Sequence, residues 1–348
     1  MNNYDIIKQG LLRTAFRYDL KPNQPHFISD IIFGGRPIYG NEDTGLIPYS
    51  YRKYNPHLST EVLFGNDPNR VNYKSGFQDG FLHSAYFYDQ DQVDFRDATN
   101  RIFDEDLTQK KSLAARIVAI AADKRDELEA GQRLSIEKMA AEALVKGKVK
   151  VLDGEQTFPM TASFLTLAGA NLFKKPIETL EAHTKAIAKA SNSLTTILLM
   201  NSTDAINLIH ACEKYLNKDS WNLAQATFGQ YTQYGVVTDG FLQVPGVGRM
   251  EICHYIGAIN GTELIPQGTA VLLPSDGKVG SMGYGRVLSS DNAQGLGMPV
   301  VQESRTNIYT QGEGDRKHIV LEQQCNVLPI ITKIDGYGVI TGIPTTLA

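Results

Sequence analysis

Three short groups of residues come nearest to catalytic machinery: Ser135-Ile136-Glu137-Lys138, Ser290-Asp291-Asn292 and Lys74-Ser75-Gly76. A serine placed three residues before a lysine, joined by SDN and KTG elements, is the set used by penicillin-recognising serine enzymes. The order here is wrong for that chemistry, because the Lys-Ser-Gly element precedes the other two and in those enzymes comes last. The spacing also recurs at Ser50–Lys53, which shows how easily it arises. A nucleophile elbow is missing, since Val279 stands where GxSxG needs its first glycine before Ser281. Cys253 and His254 are neighbours in sequence, so on a strand they point to opposite faces and cannot form a dyad.

Metal and nucleotide chemistry fare no better. The seven histidines (26, 57, 83, 183, 210, 254 and 318) are dispersed and no HExxH occurs. Asp89-Gln90-Asp91 opens like a calcium loop, but Asp94 falls where the turn needs glycine and Asn100 where a bidentate glutamate belongs. Gly246-Val247-Gly248, Gly283-Tyr284-Gly285 and Gly295-Leu296-Gly297 lack the third glycine of a dinucleotide fingerprint, and there is no GxxxxGK[ST]. These read as turn glycines. No catalytic residue, cofactor site or metal site is expected.

The bulk properties describe a protein that builds a core. Of 348 residues, 42% are hydrophobic and 21% charged, with a formal net charge of −4. That balance argues against a protein whose main task is gripping phosphates, while leaving room for weak contact with nucleic acid. Three widely spaced cysteines, Cys212, Cys253 and Cys325, imply buried thiols and no disulfide framework. The opening MNNYDIIKQG has no secretory pattern and no apolar run approaches membrane length, so no membrane association is expected.

The elements follow from changes of texture. Residues 1–33 carry Ile6, Ile7, Leu11, Leu12 and Ala15 at helical spacing, then Pro22, Pro25 and an apolar run, and read as an extended arm. Residues 34–100 are crowded with Gly, Asn, Pro and Tyr, with strands expected near 45–54, 61–64, 70–75 and 81–88. This stretch has few aliphatic residues from which to build a core of its own, and a lone hairpin is marginal in water. Its aromatic residues therefore call for another surface, and neighbouring copies of the chain supply one. Residues 107–147 read as a long helix that Gly131 or Ser135 could break, closed by Gly147 and followed by a hairpin turning at Asp153-Gly154. Helices are expected at 177–190 and 203–217, and strands at 195–200, 236–244, 249–258, 270–273 and 300–310. Gly-rich loops are expected over 274–299. Two long strands, 317–332 and 337–343, joined by the Asp335-Gly336 turn, close the chain.

Three stretches within residues 110–348 (Arg125–Lys148, Leu264–Leu272 and Tyr309–Ile330) are, in their order, similar to the capsid protein E (lambda-like) family of tailed-phage major capsid proteins. Arg125-Asp126-Glu127-Leu128 through Ala143-Leu144-Val145-Lys146-Gly147-Lys148 resembles the family's spine helix with its closing Leu-x-Lys-Gly-Lys. Leu264-Ile265-Pro266-Gln267-Gly268-Thr269 with Val271-Leu272 resembles its strand entry. The run from Tyr309 through Gly312, Gly314, Asp315 and Arg316 to Leu328-Pro329-Ile330 resembles its closing Gly-Asp-Pro-x-Arg, with Arg316 in place of the proline.

The resemblance implies an α+β, Hong Kong 97-like fold. Its parts would be an N-terminal arm (1–33), an extended β-rich loop (34–100), a peripheral domain with the spine helix and hairpin (101–173), an axial α/β domain (174–311), and a returning peripheral part (312–348). It implies a non-enzymatic subunit that assembles into hexamers and pentamers of an icosahedral head around double-stranded DNA. Scaffold, portal and decoration proteins are the implied partners, with weak non-specific DNA contact, assembly in the host cytoplasm and residence in the virion. Inter-subunit contacts are expected from Tyr49, Tyr51, Arg52, Lys53, Tyr54, Arg70, Tyr73, Lys74, Tyr86 and Tyr88, and the Gly-rich 274–299 loops are expected near the ring axis. No Lys–Asn cross-linking pair is identified, so the contacts are expected to be non-covalent. An α/β enzyme centred on 174–311, or another phage structural subunit such as a tail-tube protein, is the alternative.

Overall fold

The computed structural model describes residues 26–52, 77–94, 112–151, 154–158, 166–216, 221–223, 235–289, 298–311 and 318–345. A π-helical turn (Ile28–Ile32) precedes β1 (Ile38–Tyr39), β2 (Ile47–Arg52), β3 (Phe77–Leu82) and β4 (Ala85–Asp94). The long helix α1 (Leu113–Lys146) follows, then the hairpin of β5 (Lys148–Val151) and β6 (Gly154–Thr157), and β7 (Thr166–Ala168). Next come α2 (Pro176–Ser191), β8 (Thr195–Met200), α3 (Ser202–Tyr215), β9 (Trp221–Leu223), β10 (Val236–Val244) and β11 (Gly248–Tyr255). A small hairpin of β12 (Ala258–Ile259) and β13 (Thr262–Glu263) leads to β14 (Thr269–Pro274). The chain closes with β15 (Gly280–Tyr284), β16 (Arg286–Ser289), β17 (Met298–Val301), β18 (Arg305–Gln311), β19 (His318–Ile331) and β20 (Gly338–Thr341).

Helix α1 is unbroken over 34 residues, a rod of roughly 50 Å. Its ends are conventionally capped. The Ser112 hydroxyl accepts from the Ala115 amide, and Gly147, at φ 65°, donates its N–H to the Ala143 carbonyl. Ser135 does not interrupt it, because its hydroxyl donates back to the Gly131 carbonyl at 3.1 Å. That bond keeps the side chain within the helix rather than capping a new one.

Two sheets organise the rest. In the first, β19 is the axis: β4 pairs along one edge from His318 to Val327, while β18 and then β15 pair along the other, with β1 beyond β15. The second has the order β7-β20-β14-β8-β11-β10-β9. It is buried on both faces, as the continuous apolar run of β8 requires. Leu199, Val271 and Val339 face a core shared with α1 and the first sheet, whereas Leu198, Met200, Leu272 and Ile340 face a core shared with α2 and α3.

Three sequence expectations change here. The apolar run at 28–32 is a helical turn and not extended arm, because the carboxylate of Glu137 accepts from the amides of Ile28 and Ser29, both at 2.8 Å. The described part of 274–299, expected as loops, contains β15 and β16. Gly280 and Gly283 let β15 lie against β19, and a Cβ on Gly280 would sit 2.2 Å from the Ile330 carbonyl oxygen. The closing strands do not pair with each other. After the turn at Asp335, with φ 58°, the chain crosses into the second sheet, where β20 pairs with β14 and β7.

Candidate assembly surface

The hairpin of β2 and β3 pairs chiefly with itself. Its foot is anchored, with Ile47 fully buried and Leu82 nearly so in the shared core. Above the foot its principal contacts are between its own two strands and, at the base, with β1. The pairing runs from Ile47 opposite Leu82 to Arg52 opposite Phe77. Phe81 is 65% exposed.

Strand β4 adds an aromatic face to the first sheet. Alternation turns Asp89 and Asp91 toward α1, where Gln132 donates to Asp89 at 3.0 Å and Lys124 to Asp91 at 3.0 Å. Tyr86 and Tyr88 point the other way, about half exposed, their rings stacked with centroids 6.2 Å apart. Their hydroxyls donate to Gln324 and Glu322 of β19, at 2.9 and 2.5 Å. The polar tips are thus satisfied internally and the ring faces are left bare, the arrangement that makes tyrosine an amphipathic contact residue. Burial pushes the Tyr86 hydroxyl up from its ordinary value, and nearby Glu322 adds to this, so it stays a neutral donor.

Helix α1 is the third component. Every fully buried residue it has lies from Gln132 onward. The preceding turns carry Leu113, 50% exposed, and Val118, 68% exposed, with Ile117 and Ile120 half-buried. Apolar side chains therefore continue, part-exposed, toward the N-terminus of α1. On the far side of the second sheet, Leu194 and Ile206 are likewise exposed.

The expected contact residues separate into groups. Tyr49 packs on its own core, and its hydroxyl donates to the Ile331 carbonyl at 3.4 Å, so it anchors the hairpin foot. Tyr51 and Arg52 lie on β2, across from Gln78 and Phe77. Tyr86 and Tyr88 share a face of β4. Lys53, Tyr54, Arg70, Tyr73 and Lys74 lie outside the described residues, as do the strands expected at 61–64 and 70–75. The structure adds Phe81, Leu113 and Val118 as exposed apolar residues that the sequence reading did not single out as contacts. The alternation around Gly80 and the extension of the α1 stripe toward its N-terminus were the available signals.

Groupings of reactive side chains are sparse among the described residues. Among the described residues no three metal-ligating side chains come together. His254 and Asp239 form a pair at 2.6 Å on adjacent strands, but Cys253 is turned into the opposite core from its strand neighbour Ile252. Burial pushes the thiols of Cys212, Cys253 and Cys325 each up to about 12, which removes nucleophilic thiolate at neutral pH. Among the described residues, no helix is long and apolar enough to cross a membrane.

A family model described as phage major capsid protein E matches residues 21–337. A crystal structure of a protein assigned as the capsid protein of an Escherichia coli CFT073 prophage superposes with a TM-score of 0.56 at 13% identity. That match covers 76% of this chain and 79% of the other. The head structure of Helicobacter pylori bacteriophage KHP40 gives a TM-score of 0.50 at 9% identity, over 94% and 93% of the two chains. At these identities the likeness is one of fold. No curated protein matches the sequence.

Proposed function

The chain belongs to the phage major capsid protein E family, and on that premise we propose how this subunit closes a shell. It has the Hong Kong 97 type of fold and is a structural protein of the phage head. The family implies oligomeric assembly of the shell into pentamers and hexamers, and the proposed content of that shell is double-stranded DNA.

In the proposed arrangement the β2–β3 hairpin lies across a neighbouring subunit and covers apolar surface there, with Phe81 and the tyrosines and basic residues of the hairpin as anchors. Tyr86 and Tyr88 on one face, and the first turns of α1, receive neighbours in turn. Such contacts are heterologous, one patch meeting a different one, and they close into rings. Each contact is modest, and repetition multiplies them through effective concentration. The second sheet with α2 and α3 forms the axial domain, and the first sheet with α1 the peripheral plate. The chain has no enzymatic role. Scaffold, portal and decoration proteins complete assembly in the host cytoplasm, contacts between subunits are non-covalent, and DNA touches the inner face weakly.

A single observation carries this reading: the hairpin is rooted in the core and exposes Phe81 beyond its foot. The test is a deletion of residues 53–76 bridged by a short turn and combined with Phe81→Ser, which spares Ile47, Leu82 and the whole of β4. A deletion reaching residue 90 would strip β4 from β19 and confound assembly with folding. Soluble, folded subunits that form no shells by negative-stain microscopy are the expected result. Normal shells from the deletion would refute the proposal.

A further inference from the structure

Both feet of the β2–β3 hairpin are tied to one short stretch of chain, Tyr284–Leu288, that belongs to neither hairpin strand. On the rising side, Arg286 donates from Nη1 to the Asp43 carbonyl at 2.7 Å. Its stem lies against Gly45, at φ 70°, where a Cβ would come within 2.8 Å of Arg286 Nε. Just before that, Gly40 donates to the Tyr284 carbonyl at 2.8 Å, and a tight turn closes with Gly45 donating to the Asn41 carbonyl at 2.7 Å.

On the descending side, Ser84 packs so closely on Gly285 that a Cβ there would lie 2.4 Å from the Ser84 hydroxyl oxygen. Asn326 fastens this joint to β19. The Gly285 amide donates to the Asn326 carbonyl at 2.7 Å, and the Asn326 side chain donates to the Arg286 carbonyl at 2.9 Å. Gln324 bridges once more, its side-chain oxygen accepting from both the Tyr86 hydroxyl and the Leu288 amide at 2.9 Å. An open cavity of about 490 Å³ remains between the two feet, lined by Leu46, His83, Tyr86, Arg286 and Leu288.

The geometry points to Arg286 as a positioning residue, a clamp that sets the angle at which the hairpin leaves the subunit body. Before buried Ile47 the rising chain is held to the body by a two-residue ladder, β1 on β15, and the Gly40–Tyr284 bond, with Arg286 gripping the turn between them. The descending foot, in contrast, continues into β4, which is paired over ten residues with β19. Without the Arg286–Asp43 bond the rising foot can pivot into the space of the cavity, and the far ends of β2 and β3 swing through a larger arc than the foot. A shell of one curvature needs that arc to be narrow, because a small misplacement of a reaching element misaligns every contact it makes. This inference rests on the hairpin being the reaching element of the capsid subunit.

The test compares Arg286→Met, which keeps the stem and removes the donors, with Arg286→Lys, which keeps one. Free subunits carrying spin labels at Ser50→Cys and Lys146→Cys report the hairpin-to-body distance. The expected result is a distance distribution at least twofold broader in Arg286→Met and largely restored in Arg286→Lys. The unlabelled Arg286→Met chain is expected to yield at least tenfold fewer closed shells, or shells of scattered diameter, with an unchanged circular dichroism spectrum. An unchanged distance distribution in Arg286→Met overturns the clamp whatever the shells do. Wild-type subunits that never form shells would count against the capsid reading instead, and the distance measurement would still decide the clamp. Should Arg286→Met not fold, Gly45→Ala displaces the guanidinium from the opposite side. The same broadening is expected there, and its absence overturns the inference.

Discussion

Glu137 sits fully buried at the junction of three parts of the chain. Its carboxylate accepts from the amides of Ile28 and Ser29 and from the Tyr255 hydroxyl at 2.7 Å. It thus ties the N-terminal turn, α1 and the second sheet together. Burial, with Glu137 beside it, pushes the Tyr255 phenol well above its ordinary value, so it remains a donor across the accessible pH range. Glu137→Ala would leave three buried donors without an acceptor, at roughly 1–3 kcal/mol each if nothing relaxes. We expect a destabilisation of about 3 kcal/mol or more in urea unfolding, with Glu137→Gln intermediate because one acceptor oxygen survives. A change under about 1 kcal/mol in the alanine variant would contradict this role. The thiols give a second residue-scale prediction. With values pushed up to about 12, roughly one thiol in ten thousand is ionised at pH 8. Cys212, Cys253 and Cys325 should resist a maleimide in the native subunit and react together in denaturant; rapid native labelling of any one would show that it is not buried.

At the scale of elements, the buried residues of α1 all lie in its second half, from Gln132 to Leu144. Gly131 stands close to the boundary, exposed, with nothing within 4 Å of where its Cβ would be. Gly131→Ala should therefore stabilise the free subunit by about 0.5–1 kcal/mol, through helix propensity alone. Thermal unfolding of the isolated subunit checks this, and a loss of stability would mean that the site is packed. The helix as an element was plain from its periodicity, and its continuity past Gly131 and Ser135 was not. A glycine and a potential capping residue leave both outcomes open locally. The contacts of Lys124 with Asp91 and of Gln132 with Asp89 and the Gln323 carbonyl hold both sides of that point to the first sheet.

For the whole molecule, the second sheet acts as a partition with a core on each side. Adjacent residues of one strand, Leu198 and Leu199, belong to different cores. Neither core can be lost without exposing one face of the same sheet. The free subunit should accordingly unfold in a single transition, with near-ultraviolet and far-ultraviolet circular dichroism coinciding. Two separated transitions would show that the layers are independently stable.

Much of this protein was legible in its sequence. Apolar periodicity located α1, α2, α3, β8, β10 and β19 to within a few residues, because these elements bury whole stripes and local pattern suffices to mark them. The ordered motifs of the C-terminal two-thirds pointed to the family that the comparison then established. Partner choice was decided only in three dimensions. Nothing local says that β20 leaves β19 to complete the other sheet, or that Gly280 turns a glycine-rich stretch into a central strand. The same holds for Tyr49, which packs inward at a foot while Phe81 is left outside. Strand pairing and burial depend on residues far away in the chain, and a sequence pattern records only that a side chain must be covered, not by what.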